Sequence, residues 1–158
     1  MTTYRVPLPP RGVGSNARSH WRERARVTRE YRAECADAYE EQGTPDTPLE
    51  HVTVAVEMRV CRKQLQTKVV AGYMAVDDYR AWANAQDRYR PRDEGNVLDA
   101  IKAAIDALQP ARVTGSTIIP GAGIVVGDDA RHMTVGAPRL VEVETFREEG
   151  VWIMVDEI

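Results

Sequence analysis

Alternating apolar and polar positions predict four strands in this chain. The clearest lies at residues 51–60, where valines and Met58 occupy every second position, the period of a strand with one buried face. Residues 4–8 predict a shorter first strand, which stops at a proline pair and a glycine-containing stretch. Residues 140–146 and 151–157 predict two strands at the end of the chain. The four strands enclose two longer segments with a different period.

Those two segments have the apolar spacing of helices. The first covers residues 21–42 and ends at Gly43 and Pro45. The second covers residues 96–108, where the apolar side chains form a stripe. Its opposite side presents Asp99, Lys102 and Asp106, whose spacings of three and four residues place them on one face.

The predicted order is therefore β-α-β-(insertion)-α-β-β, an α+β class with helices packed on a small mixed sheet. Length predicts a single domain over residues 1–158, with an insertion at about 64–92. The insertion interleaves tyrosines and Trp82 with arginines. This mixture suits stacking on unpaired bases, and it equally suits added core or an extended dimer surface.

Composition indicates an ordinary soluble protein rather than a membrane or secreted one. Hydrophobic residues make up 43% and charged residues 28% of the chain. No apolar run approaches the roughly 20 residues that span a bilayer, and the N-terminus lacks a secretory pattern. The cysteines Cys35 and Cys61 stand alone, which favours reduced thiols. We therefore expect a cytoplasmic location and no membrane partner.

The net charge of −3 hides a strong segregation of charge. Residues 1–32 hold eight arginines and two glutamates, a net of +6, whereas residues 140–158 hold six acids and one arginine, a net of −5. The chain contains 18 arginines and three lysines, and arginine suits bidentate contact with phosphate. This distribution predicts a basic surface for a polyanion.

Acidic residues near a lysine suggest a second chemistry. Asp93 precedes the second predicted helix, Asp99 and Asp106 lie on it, and Asp128 and Asp129 precede the next strand. Carboxylates of this kind can hold Mg²⁺ for phosphodiester cleavage, and a nearby lysine can stabilise charge that develops on the phosphate. Aspartates at helix starts and turns are also commonly structural, through capping.

Three segments give the chain a resemblance to a known family. They are residues 92–96 (Arg-Asp-Glu-Gly-Asn), 102–108 (Lys-Ala-Ala-Ile-Asp-Ala-Leu) and 127–129 (Gly-Asp-Asp). Together with the N-terminal Leu-Pro-Pro of residues 8–10 and the basic segment 16–29, they resemble the RusA family of Holliday junction resolvases, which phages and prophages often encode. The predicted strand order is also that of the family.

The resemblance implies a homodimeric, Mg²⁺-dependent endonuclease, for which Mn²⁺ can substitute, that nicks opposing strands of a four-way DNA junction. It implies catalytic roles for Asp93, Lys102 and Asp129, with Asp93 and Asp129 as metal ligands and Asp128 beside them. Paired nicks need two active sites, and a two-fold dimer provides them. The resemblance also implies a set of DNA-binding residues: Arg11, Asn16, Arg18, His20, Arg24 and Arg29.

The chain departs from the family pattern at two points. Gly95 stands where the Asp-x-Asp-Asn motif has its second aspartate, and Lys102 follows Asn96 by six residues instead of three. We hypothesise that Asp99, in the added helical turn, supplies the missing metal carboxylate; Glu94 is the other candidate. If neither does, the protein binds branched DNA without cutting it well. An adaptor protein that keeps only the fold is a third hypothesis, against which the basic N-terminal third counts.

Overall fold

The computed structural model describes residues 1–13, 20–63 and 76–158, and these ranges form an α+β fold around one mixed sheet. The predicted fold class is thereby confirmed. In chain order the helices and strands are β1 (Thr2–Val6), α1 (Trp21–Gln42), β2 (Val52–Cys61), α2 (Val76–Ala85), α3 (Val97–Ala100), α4 (Lys102–Asp106), β3 (Pro110–Thr114), β4 (Thr117–Ala122), β5 (Met133–Val135), β6 (Arg139–Val143) and β7 (Gly150–Glu157).

Strand β2 is the centre of the sheet. It runs antiparallel to β7 on one side, and on the other side it runs parallel to β5 and then to β6. Strand β1 pairs with β7 in antiparallel fashion. The valines of β2 and Met58 are buried, while the alternate positions from Thr53 to Arg59 are exposed or half-buried, as the period of two predicts. The central strand therefore presents one apolar face to the helices.

Helix α1 has the bounds that the sequence predicts, and it covers this apolar face. The buried side chains of α1 include Tyr31, Cys35 and Tyr39, which recur at helical spacing. The Tyr31 hydroxyl donates to the Pro7 carbonyl at 2.8 Å, and the Tyr39 hydroxyl donates to the Ala104 carbonyl at 2.7 Å. Because both hydroxyls are satisfied, α1 can bury large side chains against the first strand and against α4.

The prediction of one continuous helix over residues 96–108 is wrong. A 3-10 turn at Glu94–Asn96 leads into α3, and Ile101 separates α3 from α4 with φ −106° and ψ 11°. The Ile101 side chain is fully buried, so tertiary packing decides its backbone conformation over helix propensity. The Ile101 N–H still donates to the Val97 carbonyl at 3.0 Å. The segment therefore keeps nearly helical spacing across the break.

The predicted order also lacks three strands. The sequence pattern predicts no strand between Pro110 and Gly127, but β3 and β4 form a hairpin outside the main sheet, and β5 follows it. Gly115, with φ 62°, makes the two-residue turn of this hairpin. Every residue of β3 is exposed, and β4 has two exposed residues followed by four half-buried ones, so neither strand shows the alternation that marks a strand with one buried face. The two C-terminal strands are confirmed, although β6 ends at Val143 and not at residue 146.

The described part of the insertion packs against the sheet. Trp82 of α2 is buried against Cys61 and Phe146. Arg90 forms a two-pronged ion pair with the Glu149 carboxylate, at 2.6 and 2.7 Å. Residues 64–75, including Tyr73, lie outside the described residues. Within the described ranges, no helix combines the length and apolar character needed to cross a membrane.

Candidate nucleic-acid interface

One face of α1 forms the basic wall of a cleft. The residues of this face recur every three or four positions, so they project to the same side of the helix. They are Trp21, Arg24, Ala25, Thr28, Arg29 and Arg32. The three arginines are the cationic part of this wall.

The opposite wall comes from α3 and α4. Asp99, Lys102 and Asp106 all line the same cleft, as their spacing in the sequence predicts. The Lys102 ammonium lies 2.9 Å from a carboxylate oxygen of Asp106, and the Lys102 side chain is 71% exposed. Ile119 and Pro120 of β4 and Val13 complete the lining of a space of about 540 Å³. We call this space the α1 cleft.

Arg32 lines the α1 cleft and has several charged neighbours. Its Nε donates to the Pro120 carbonyl and so ties α1 to the hairpin. Burial is the largest influence on the pKa of Arg32 and lowers it. The Asp106 and Asp128 carboxylates raise this pKa, and the nearby Arg112 guanidinium lowers it further. Two carboxylates and a second guanidinium therefore lie within electrostatic range of this one arginine.

Not every arginine of α1 belongs to the cleft. Arg26 forms ion pairs with Glu23 and Glu30 on its own helix, and it does not line the cleft. Its charge is therefore largely compensated locally. Arg24 and Arg29, both predicted to bind DNA, lie on the cleft side. The arginines of α1 that line the cleft are thus distinct from Arg26, whose charge is compensated by glutamates.

A smaller groove adjoins the α1 cleft and shares Asp99 and Val13 with it. Arg11 and Asn96 line this groove. The Asn96 amide donates to Asp93 Oδ1 at 3.1 Å. Asn96 therefore connects Asp93, the predicted first metal ligand, to the groove that Asp99 also lines.

The two residues between Asp93 and Asn96 differ in their surroundings. Glu94 Oε1 accepts the backbone N–H of Leu140 at 3.2 Å, which holds this carboxylate near β6. A Cβ at Gly95 would lie only 3.3 Å from Asp93 Oδ1. Any side chain at position 95 would therefore lie directly beside the Asp93 carboxylate. Asp99, and not Glu94, is the candidate substitute that faces the cleft.

Asp129 occupies a turn before β5. Its Oδ1 accepts the backbone N–H of Arg131 at 2.9 Å. That hydrogen bond, with help from His132 and the Arg131 guanidinium, lowers the pKa of the Asp129 carboxyl. The His132 ring stacks on His51 at 5.9 Å between ring centroids, and its Nδ1 lies 2.8 Å from the Glu50 carbonyl oxygen. The Asp129 side chain is therefore an accessible, ionised carboxylate, and a carboxylate must be ionised to bind a metal cation.

The four predicted metal ligands are all described, but they do not form a complete ligand set. Among the described residues, no three His, Cys, Asp or Glu side chains lie close enough together to hold a metal ion. Asp99 lies in the cleft, Asp128 lies within electrostatic range of Arg32, and Asp93 and Asp129 hydrogen bond to other groups. The assignment of Mg²⁺ to these carboxylates stays a prediction.

The remaining predicted DNA-binding residues are His20, Asn16 and Arg18. His20 precedes α1, and its Nδ1 accepts the backbone N–H of Arg22 at 3.2 Å. The adjacent Trp21 is 61% exposed, with the Arg22 guanidinium over its ring. Asn16 and Arg18 lie outside the described residues. His20 therefore has a capping role in addition to the predicted one.

Sequence reasoning missed two arginines of this region. Arg32 follows Arg24 by eight residues and Arg29 by three, so helical spacing alone would have placed it on the cleft face. Arg112 lies on β3, a strand that the sequence pattern does not predict. No sequence signal connected it to the cleft.

Comparison of the chain with protein-family models, with curated proteins and with solved structures gave no match.

Proposed function

We propose that this protein binds branched DNA in the α1 cleft and nicks it in a reaction that requires Mg²⁺. The observation that carries the proposal is the cleft itself, in which Arg24, Arg29 and Arg32 share with Lys102 the lining of a space of about 540 Å³. Arginines on one helix face can follow the phosphates of a nucleic-acid strand. The resemblance to the RusA resolvases supplies the branched substrate and the homodimer.

Cleavage is the second part of the proposal, and it places Lys102 at the scissile phosphate. An exposed ammonium beside carboxylates can approach a phosphate and stabilise the charge that develops there. Asp106 lies 2.9 Å from the Lys102 ammonium and orients it. When bound, Mg²⁺ supplies Lewis acidity and an activated water. Asp93, Asp129, Asp128 and Asp99 are the residues of this chain that we propose to hold it.

A second candidate function is branched-DNA binding without efficient cleavage. Gly95 favours it, because one carboxylate of the family motif is missing. In this candidate the α1 cleft keeps its role and the carboxylates serve as capping and turn residues.

The arginine face of α1 predicts a contrast between two variants on the same helix. Arg29→Ala should lower affinity for a four-way junction and reduce the slope of log K against log salt by about 1, because one phosphate contact is lost. Arg26→Ala removes the same charge from a position on α1 outside the cleft, where Glu23 and Glu30 compensate it. The measurement is a salt titration of junction binding.

Arg26→Ala should leave the salt slope unchanged. Equal losses in the two variants would mean that DNA senses only the overall charge of α1. The α1 cleft would then not be the binding site.

A further inference from the structure

The hairpin of β3 and β4 carries an exposed apolar pair near its tip. Val113 and Ile118 are direct partners in the register, and directly opposed residues project to the same face of a hairpin. Their exposed fractions are 71% and 67%. Single exposed aliphatic residues are ordinary on protein surfaces, but these two form one continuous patch on a projecting arm.

The base of this arm is fixed to the helices. The Ala122 N–H donates to the Ala107 carbonyl at 2.8 Å, and the Gly123 N–H donates to the Gln109 carbonyl at 3.0 Å. Gly121 lies so close to the Gln109 carbonyl that a Cβ at this position would collide with it. The arm therefore projects from a firm attachment beside α4.

The two faces of the arm differ in chemistry. Arg112 and Ile119 are register partners, and Ile119 lines the α1 cleft. Arg112 lies close enough to Arg32 to affect its pKa. Since neighbouring residues in a strand point to opposite faces, Val113 and Ile118 face away from the cleft. The arm thus separates a cationic cleft from an uncharged apolar surface.

We infer that the arm is a wedge that packs its Val113–Ile118 pair on the open face of a base pair at the DNA branch point. This inference rests on the proposed function. The phosphate backbone of one junction arm runs along the mouth of the α1 cleft, and the hairpin enters the branch beside it. Proteins commonly insert aliphatic side chains against base steps in this way. A branch point exposes such a base-pair face, which a continuous duplex keeps stacked.

Charge and area favour DNA over a second copy of the chain as the occupant. Ile119 and Pro120 of the arm line the α1 cleft, and Arg112 lies within electrostatic range of Arg32, so a polyanion bound there brings its bases to the arm. A stable protein interface needs about 800 Å² from each partner, far more than two aliphatic side chains cover. The flat, uncharged face of one base pair matches a patch of this size.

The test compares a four-way junction with a linear duplex of equal length, without Mg²⁺. The double variant Val113→Thr/Ile118→Thr keeps β-branched side chains but makes the pair polar. We expect its junction affinity to fall roughly tenfold, the effect of withdrawing about one aliphatic side chain from apolar contact. Its duplex affinity should not change. Ile158→Thr, which alters an exposed aliphatic residue at the end of the chain, is the matched control and should change neither affinity.

The other outcomes separate the two proposals. If the wild-type protein prefers the junction and the double variant keeps that preference, the wedge is wrong and the proposed function survives. If the wild-type protein binds no DNA, both are wrong. If the double variant instead changes the sedimentation mass of the free protein, the arm contacts a second copy, and the wedge is overturned.

Discussion

Glu149→Gln is expected to lower the free energy of unfolding by about 3–5 kcal/mol, the usual effect of removing one partner from a buried ion pair. The Glu149 side chain is 3% exposed and the Arg90 side chain 12% exposed. Glu149 accepts from Arg90 through both carboxylate oxygens and from the backbone N–H of Cys61 at 2.8 Å. Glutamine has the same shape but leaves the Arg90 guanidinium buried without its counter-charge. The measurement is urea unfolding at neutral pH.

Two comparisons make this stability prediction specific. Glu23→Gln removes one partner of an ion pair at the surface of α1 and should leave the urea midpoint unchanged, because surface pairs contribute little. The double variant Arg90→Met/Glu149→Leu removes both charges and should recover much of the loss. A midpoint for Glu149→Gln equal to that of Glu23→Gln would show that this pair does not hold the insertion to the sheet.

Lys102→Gln is expected to slow nicking of a four-way junction by roughly 10²–10³-fold, the effect of losing one preorganised group that stabilises transition-state charge. Junction affinity should fall less than it does in Arg29→Ala, because the Asp106 carboxylate already compensates the Lys102 ammonium. Glutamine can still donate a hydrogen bond to Asp106, so the local structure is preserved. Single-turnover cleavage and a binding titration measure the two quantities separately.

The matched control for this variant is Lys63→Gln. Lys63 is an exposed lysine just after β2, and it does not line the α1 cleft. The Lys63→Gln variant should nick the junction at the rate of the wild-type protein. Equal nicking by the Lys102 and Lys63 variants would remove Lys102 from the chemistry, and equal loss of binding in both would indicate a nonspecific effect of charge.

The sequence predicts the elements whose burial pattern is local. Helix α1 and strand β2 follow from their periods because each buries one face along its whole length. The cleft wall of Asp99, Lys102 and Asp106 follows from helical spacing for the same reason, even though Ile101 interrupts the helix. Spacing sufficed here because the break preserves the direction of the side chains.

Features that depend on distant residues could not be predicted. The Arg90–Glu149 pair joins positions 59 residues apart, and nothing local in either segment selects the partner. The hairpin of β3 and β4 lacks a buried face, so its strands carry no alternation against a core. Arg112 reaches the surroundings of Arg32 only through that hairpin. The cationic cleft is therefore partly a product of tertiary structure.

The most direct test of the central claim is a gel assay with a synthetic four-way junction, with and without Mg²⁺, using the wild-type protein and Asp129→Asn. Asparagine keeps a carbonyl oxygen to accept the Arg131 N–H, so the turn should survive while the charge is lost. We expect paired nicks that require Mg²⁺ and disappear in the variant, with junction binding retained. Tight binding without nicks under any divalent metal would contradict the nuclease and leave a junction-binding protein, and absence of binding would contradict the claim entirely.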